Sequence, residues 1–182
     1  WSEVRREVKD FVENEVYPAE SILEKRGEES SKKLSELMQL AKDKNLWALG
    51  HPKDIGGQGM PFMEYVYVNE VVGRSSPSMV ALGTHSLQDS IMLREFASKR
   101  WRDTYLEPLV AGEIFPSFAM TEPDVSSSDP TQLQTKAVLD GDEWVINGQK
   151  IWTSTAHLAD WIFCLVRTEP DAKKHHGISF LL

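Results

Sequence analysis

A single cysteine, Cys164, stands among 182 residues. No disulfide can form within the chain, so its core must hold the fold. That thiol lies in an apolar run, residues 161–166, and is expected to be a buried, inert strand residue. No stretch approaches the roughly 18 consecutive apolar residues of a membrane span, and no signal peptide is visible. Basic charge is also scarce: 20 Lys and Arg against 28 Asp and Glu leave a net charge of −8. This balance argues against nucleic acid or an anionic membrane surface as the main partner, because both reward clustered cations. The short charge runs at residues 24–29 and 32–33 read as solvated faces. What is present is ordinary, with 41% apolar and 26% charged residues, enough for a core without staples and too apolar for disorder. The chain starts at Trp1 and stops inside an apolar run, residues 178–182, and is read as incomplete at both ends.

The first 113 residues carry a helical period. Val4, Val8, Phe11, Val12 and Val16 recur at steps of three and four, one buried stripe of a helix that Pro18 should break or kink. A second helix is expected over residues 32–44, with Leu34, Leu37, Met38 and Ala41 on one face, Ser31 as N-cap and Asn45 as stop. The Gly-rich stretch 50–60 follows a helix and lacks a P-loop ending, so it reads as a structural turn. A third helix should begin with Pro61 as its first residue and end near Gly73, lined by Tyr65, Val66, Asn69 and Val72. A fourth should span about 77–96. A fifth should run from an N-cap at Ser98 to a stop at Gly112, with Trp101, Tyr105, Leu109 and Val110 as its stripe and Pro108 shortening or kinking it.

After Ile114 the period changes to two. Strands are expected at 115–121, 135–139, 143–146, 150–153, 161–166 and 177–182, with Asp140-Gly141 as a hairpin turn and Asn147-Gly148 as a second tight turn. Helices first and strands second, without alternation, predict an α+β fold: a helical domain over residues 1–113 and an antiparallel β-domain over 114–182.

Two segments carry chemistry. The first, FAMTEPDVSSSD (residues 118–129), ends a strand in a turn rich in hydroxyls and amides, the makings of an anion-binding nest. The second, Lys150-Ile151-Trp152-Thr153-Ser154, follows the Asn-Gly turn. Either alone is only a Ser-rich turn or a core indole. Together and in order they resemble the acyl-CoA dehydrogenase family, whose TEP loop ending in Ser-Asp is followed by a VINGxKxW segment. The stretch WRDTYLEPLVAGE (residues 101–113) also resembles the end of that family's amino-terminal helical domain. The common loop is TEP-Gly-x-Gly-Ser-Asp. TEPDVSSSD is one residue longer and replaces the glycines, as in the branch with family members 10 and 11.

The resemblance implies an FAD site on the β-domain, with the carboxy-terminal helical domain absent from this chain. The backbone of Phe118, Ala119, Met120 and Thr121, with the Thr121 hydroxyl, would meet the flavin's pyrimidine edge. Ser127 and Ser128 would lie near the pyrophosphate and the CoA moiety of the substrate. Trp152 would stack on the flavin, and Thr153 and Ser154 would sit beside it, the Ser154 hydroxyl near N5. Donors at these places stabilise the negative charge a flavin gains on reduction. The implied reaction is dehydrogenation of an acyl-CoA to a 2-enoyl-CoA, passing electrons to electron transfer flavoprotein in a homo-oligomer, dimer or tetramer. No catalytic residue is expected here, since the family's base is a Glu that would lie beyond Leu182. Glu122 is read as structural. An acyl-CoA oxidase, a flavin monooxygenase or a non-catalytic subunit on the same scaffold are the alternatives. Without a targeting segment, the compartment is expected to be cytoplasmic in a bacterium, and mitochondrial matrix or peroxisome in a eukaryote. His85 and His157 read as structural histidines, and His175-His176 as no metal pair, because neighbours on a strand point to opposite faces.

Overall fold

The computed structural model describes residues 2–25, 27–126 and 129–182. It divides into a helical unit, Trp1–Ile114, and a strand unit, Phe115–Leu182, an α+β architecture with helices preceding strands.

The helical unit begins with α1 (Ser2–Phe11), a π turn (Val12–Val16), a 3₁₀ turn (Tyr17–Ala19) and α2 (Glu20–Leu23). Val8, Phe11, Val12 and Val16 are buried, as the period of three and four requires, while Val4 is only half-buried. Then come α3 (Glu28–Asp43), α4 (Phe62–Val72), α5 (Ser76–Ala81), α6 (Leu87–Phe96), α7 (Lys99–Trp101) and α8 (Glu107–Ala111).

Neither expected proline break interrupts the chain's helical course. Both prolines follow a π turn by two residues, Pro18 after Val12–Val16 and Pro108 after Arg102–Leu106, which joins α7 to α8. In each turn the closing amide reaches back five residues, Tyr17 to the Val12 carbonyl and Glu107 to that of Arg102. The wider turn accommodates a residue that has no N–H to give and whose ring crowds the preceding turn.

Other helical expectations are corrected. α3 starts four residues early, so Ser31 lies inside it and donates to the Gly27 carbonyl. Pro61 precedes α4 instead of opening it. The buried face of α4 is Tyr65, Val68, Val71 and Val72, and Val66 is exposed. The expected long fourth helix is broken at Gly83, left-handed at φ 68°, into α5 and α6. On the last helix Leu106, Leu109 and Val110 are buried, and Trp101 faces solvent.

The stop at Gly112 has two causes. Its φ is 73°, and a Cβ there would lie 2.7 Å from the Trp47 ring and 2.8 Å from Met38. Gly112→Ala is therefore expected to cost about 2 kcal/mol, read as a lower urea midpoint. An unchanged midpoint would show that the indole simply moves aside.

Among the described residues, the strand unit forms one five-stranded sheet: β1 (Pro116–Ala119), β2 (Lys136–Asp140), β3 (Glu143–Asn147), β4 (Trp161–Arg167) and β5 (Ile178–Leu181). Its order is β1-β4-β2-β3, with β5 also on β4. The sheet is mixed, which corrects the antiparallel expectation. β2 and β3 form the expected hairpin around left-handed Gly141, and β4 runs antiparallel to β5. But β4 is parallel to both β1 and β2, because residues 120–160 cross over and return the chain in the same direction. Phe118, Phe163 and Phe180 pack together from three strands, with ring centroids 5.7–6.3 Å apart. Cys164 is half-buried, not buried, and burial raises its pKa. His175 and His176 sit in a 3₁₀ turn, Lys174–Gly177, with both side chains exposed, so the strand argument does not apply to them.

Candidate functional site

β1 is the end strand of the sheet's path, bonded on one side to β4. The chain leaves it through Met120 and Thr121 and meets the segment that follows the Asn147-Gly148 turn. There the Ile151 amide donates to the Thr121 carbonyl at 2.9 Å, and the Ser117 hydroxyl donates to the Ser154 carbonyl at 2.6 Å. The fold thus sets residues 118–121 beside residues 152–154.

No strand forms at residues 150–153, contrary to expectation. Trp152 takes φ 53° and Thr155 φ 59°, and left-handed residues cannot extend a ladder. A left-handed backbone at a bulky residue is strained, and such strain gathers at functional sites. The same turn leaves the indole 84% exposed. Gly148 permits the approach, since a Cβ there would stand 2.4 Å from the Thr135 hydroxyl.

Glu122 organises the loop from within. Its side chain is 5% exposed and accepts from the Gln134 amide (2.7 Å), the Thr135 amide (2.8 Å) and Lys150 Nζ (2.9 Å). Burial pushes its pKa up, but the bonds from Thr135, Lys150 and the two amides outweigh that and hold it down to about 2. A carboxylate so engaged cannot act as a general base near neutral pH. Lys150 Nζ also donates to the Met120 carbonyl at 3.0 Å. Sequence reasoning placed Lys150 in a motif and missed its partner. A lone Lys three residues from an Asn-Gly turn gives no signal for pairing, and only a Glu and a Lys in two flanking motifs hint at it.

Asp129 caps the 3₁₀ turn Pro130–Gln132, accepting from the Thr131 amide at 3.0 Å, and Arg167 donates to the Leu133 and Thr131 carbonyls. Ser127 and Ser128, expected near a pyrophosphate, lie outside the described residues. The half-buried Phe118 ring packs against Phe163 and Phe180, and Ala119 is buried, so Ala119 can serve a ligand only through its backbone. Among the described residues, no group of acidic, His and Cys side chains could hold a metal ion, and no helix is long and apolar enough to cross a membrane.

Residues 2–113 match the family model described as acyl-CoA dehydrogenase, N-terminal domain, and residues 117–182 match acyl-CoA dehydrogenase, middle domain. The chain belongs to the acyl-CoA dehydrogenase family. Within it, the chain is similar to acyl-CoA dehydrogenase FadE29 of Mycobacterium tuberculosis, 30% identical over 99% of this chain and 46% of FadE29. Acyl-CoA dehydrogenase FadE26 of the same organism is 36% identical over 74% of this chain and 34% of its own length. Among solved structures, the ChsE4–ChsE5 complex of M. tuberculosis superposes with a TM-score of 0.80 at 30% identity, covering 99% of this chain and 45% of that one. The chain thus spans less than half the length of these acyl-CoA dehydrogenase relatives.

Proposed function

We propose that this chain forms the flavin-holding wall of an FAD-dependent acyl-CoA dehydrogenase, with residues 1–113 as its helical domain and 114–182 as part of its β-domain. The observation that carries the reading is the joined pair of segments, Met120-Thr121 against Lys150–Ser154, which leaves an exposed indole beside an edge strand. The donor set fits the cofactor. The Met120 and Thr121 carbonyls are engaged by Lys150 and Ile151, so contact with a ring edge falls chiefly to amides and the Thr121 hydroxyl. Those are the donors that an electron-accepting heterocycle needs. Trp152 supplies a flat apolar wall, and the Thr153 and Ser154 groups flank it.

When bound, FAD supplies the hydride acceptor for oxidation of an acyl-CoA thioester to a 2-enoyl-CoA. The chain's own residues bind and orient it, with Ser127 and Ser128 toward the pyrophosphate and CoA. The catalytic Glu that the family resemblance implies is proposed to lie outside these 182 residues, so the 182 residues alone are expected to show no turnover. The full protein would work as a homo-oligomer with electron transfer flavoprotein as acceptor, and its longer TEPDVSSSD loop is proposed to place it with members 10 and 11.

Purified full-length protein is expected to be yellow and to bleach anaerobically with one of a panel of acyl-CoAs. Protein that stays colourless after reconstitution with FAD would refute the assignment. Trp152→Ala is expected to weaken FAD binding about tenfold, the ~1.4 kcal/mol of one aromatic stacking contact. It should also raise the fluorescence of the bound flavin, which a stacked indole quenches. Unchanged affinity and fluorescence would remove Trp152 from the site.

A further inference from the structure

Among the described residues, the ion pairs of the helical unit lie at the surface, with side chains 23–88% exposed. The pair Lys150–Glu122 differs, with exposures of only 10% and 5%. Burying two charges brings little net stability over apolar packing of the same volume, but it fixes geometry when every bond is satisfied. Here the bonds converge. Lys150 Nζ holds Glu122 Oε1 at 2.9 Å and the Met120 carbonyl at 3.0 Å. The Glu122 carboxylate in turn holds the Gln134 and Thr135 amides. Lys150 stands two residues before Trp152, and Met120 and Glu122 flank Thr121. One ammonium therefore ties together the two segments that the proposed site needs at a set spacing.

We infer that Lys150 is a positioning residue for the cofactor: by bridging the Met120 carbonyl and the Glu122 carboxylate it fixes the distance between the Thr121 segment and the Trp152 indole. The inference rests on the reading that these segments grip FAD. Lys150 itself touches no reacting atom and acts through its neighbours. Its loss would let the 148–154 loop drift, and displacements of about 1 Å suffice to degrade a preorganised site.

The test uses full-length apoprotein titrated with FAD. Lys150→Met keeps the stem and removes the charge and the donors. It is expected to weaken FAD binding at least tenfold and to raise the fluorescence of the bound flavin toward that of Trp152→Ala, although the indole is still present. A merely stabilising lysine would lower the melting temperature without that fluorescence change. Lys150→Arg can still donate to both oxygens and should bind FAD within about threefold of wild type. If Lys150→Met does not fold, Glu122→Gln, which keeps the shape but loosens the hold on Lys150, should show a roughly threefold loss and the same fluorescence rise. Wild-type affinity and fluorescence in Lys150→Met, or in Glu122→Gln, would overturn the inference, as would an Arg variant as impaired as the Met one. No FAD uptake by wild type sinks the cofactor reading and this inference with it. Uptake by wild type with unaffected variants sinks the inference alone.

Discussion

Glu122→Ala is expected to destabilise the strand unit by about 3–5 kcal/mol at neutral pH, the cost of removing one partner of a buried pair. The variant leaves the Gln134 and Thr135 amides without their acceptor, and the ammonium with the Met120 carbonyl but no counter-charge, in a site from which water is nearly excluded. The same carboxylate predicts a pH profile. Its folded pKa of about 2 lies below the ordinary glutamate value of 4.5, so its contribution is complete above about pH 4.5 and is lost as pH falls towards 2. Linkage makes that contribution about 3 kcal/mol. Urea unfolding at pH 7 and pH 3 checks both statements. Glu122→Gln, which cannot titrate, should lose less stability between those two values than wild type does. An identical acid loss in the two proteins would place the pH dependence elsewhere.

Acid should also loosen the helical unit, and earlier. His51 is 1% exposed, with Nε2 3.1 Å from the Ser86 hydroxyl. Burial first, then the neighbouring His85, lower its pKa from 6.5 to about 4, and a hydrogen bond to the Ser86 backbone offsets only part of that. The folded unit thus favours the neutral ring, while the unfolded chain takes up a proton near pH 6.5. Stability from this group is complete above pH 6.5 and falls by about 3 kcal/mol as pH drops to 4. Half-buried His85, whose pKa desolvation also lowers, acts in the same direction. Asp89 acts against it. Burial raises its pKa to about 6, so its protonation favours the folded state over much of the same range. Comparing His51→Gln with wild type at pH 7 and pH 4.5 isolates the imidazole, because Asp89 is common to both. The variant should be the less stable protein at pH 7 and close the gap at pH 4.5. A gap that stays constant would mean His51 does not titrate with unfolding.

Local chemistry made parts of the fold legible. Asn45 and Gly112 stop their helices with φ 55° and 73°, because left-handed positions select few residue types. The Gly141 turn closes its hairpin for the same reason. Pro18 and Pro108 were visible as disturbances, but whether a proline breaks a helix or sits behind a π turn depends on packing around it. The parallel β1–β4 pair was hidden, since nothing in residues 116–119 names a partner more than 40 positions away. The segments of the candidate site were recognisable only through their family resemblance. Their physical connection was not: the left-handed turn at Trp152 breaks an apparently good strand, and the Lys150–Glu122 pair joins residues 28 apart.

The crossover in the sheet also orders events in time. β2 and β3 are joined by two residues and can pair in microseconds. β1 meets β4 only after the intervening chain has closed on itself, and loop-closure entropy must be met before that contact gives anything back. The Thr121 and Trp152 segments hang on that late pairing. The cofactor-facing loops are thus expected to take shape among the last parts of the strand unit during folding, on a hairpin already in place.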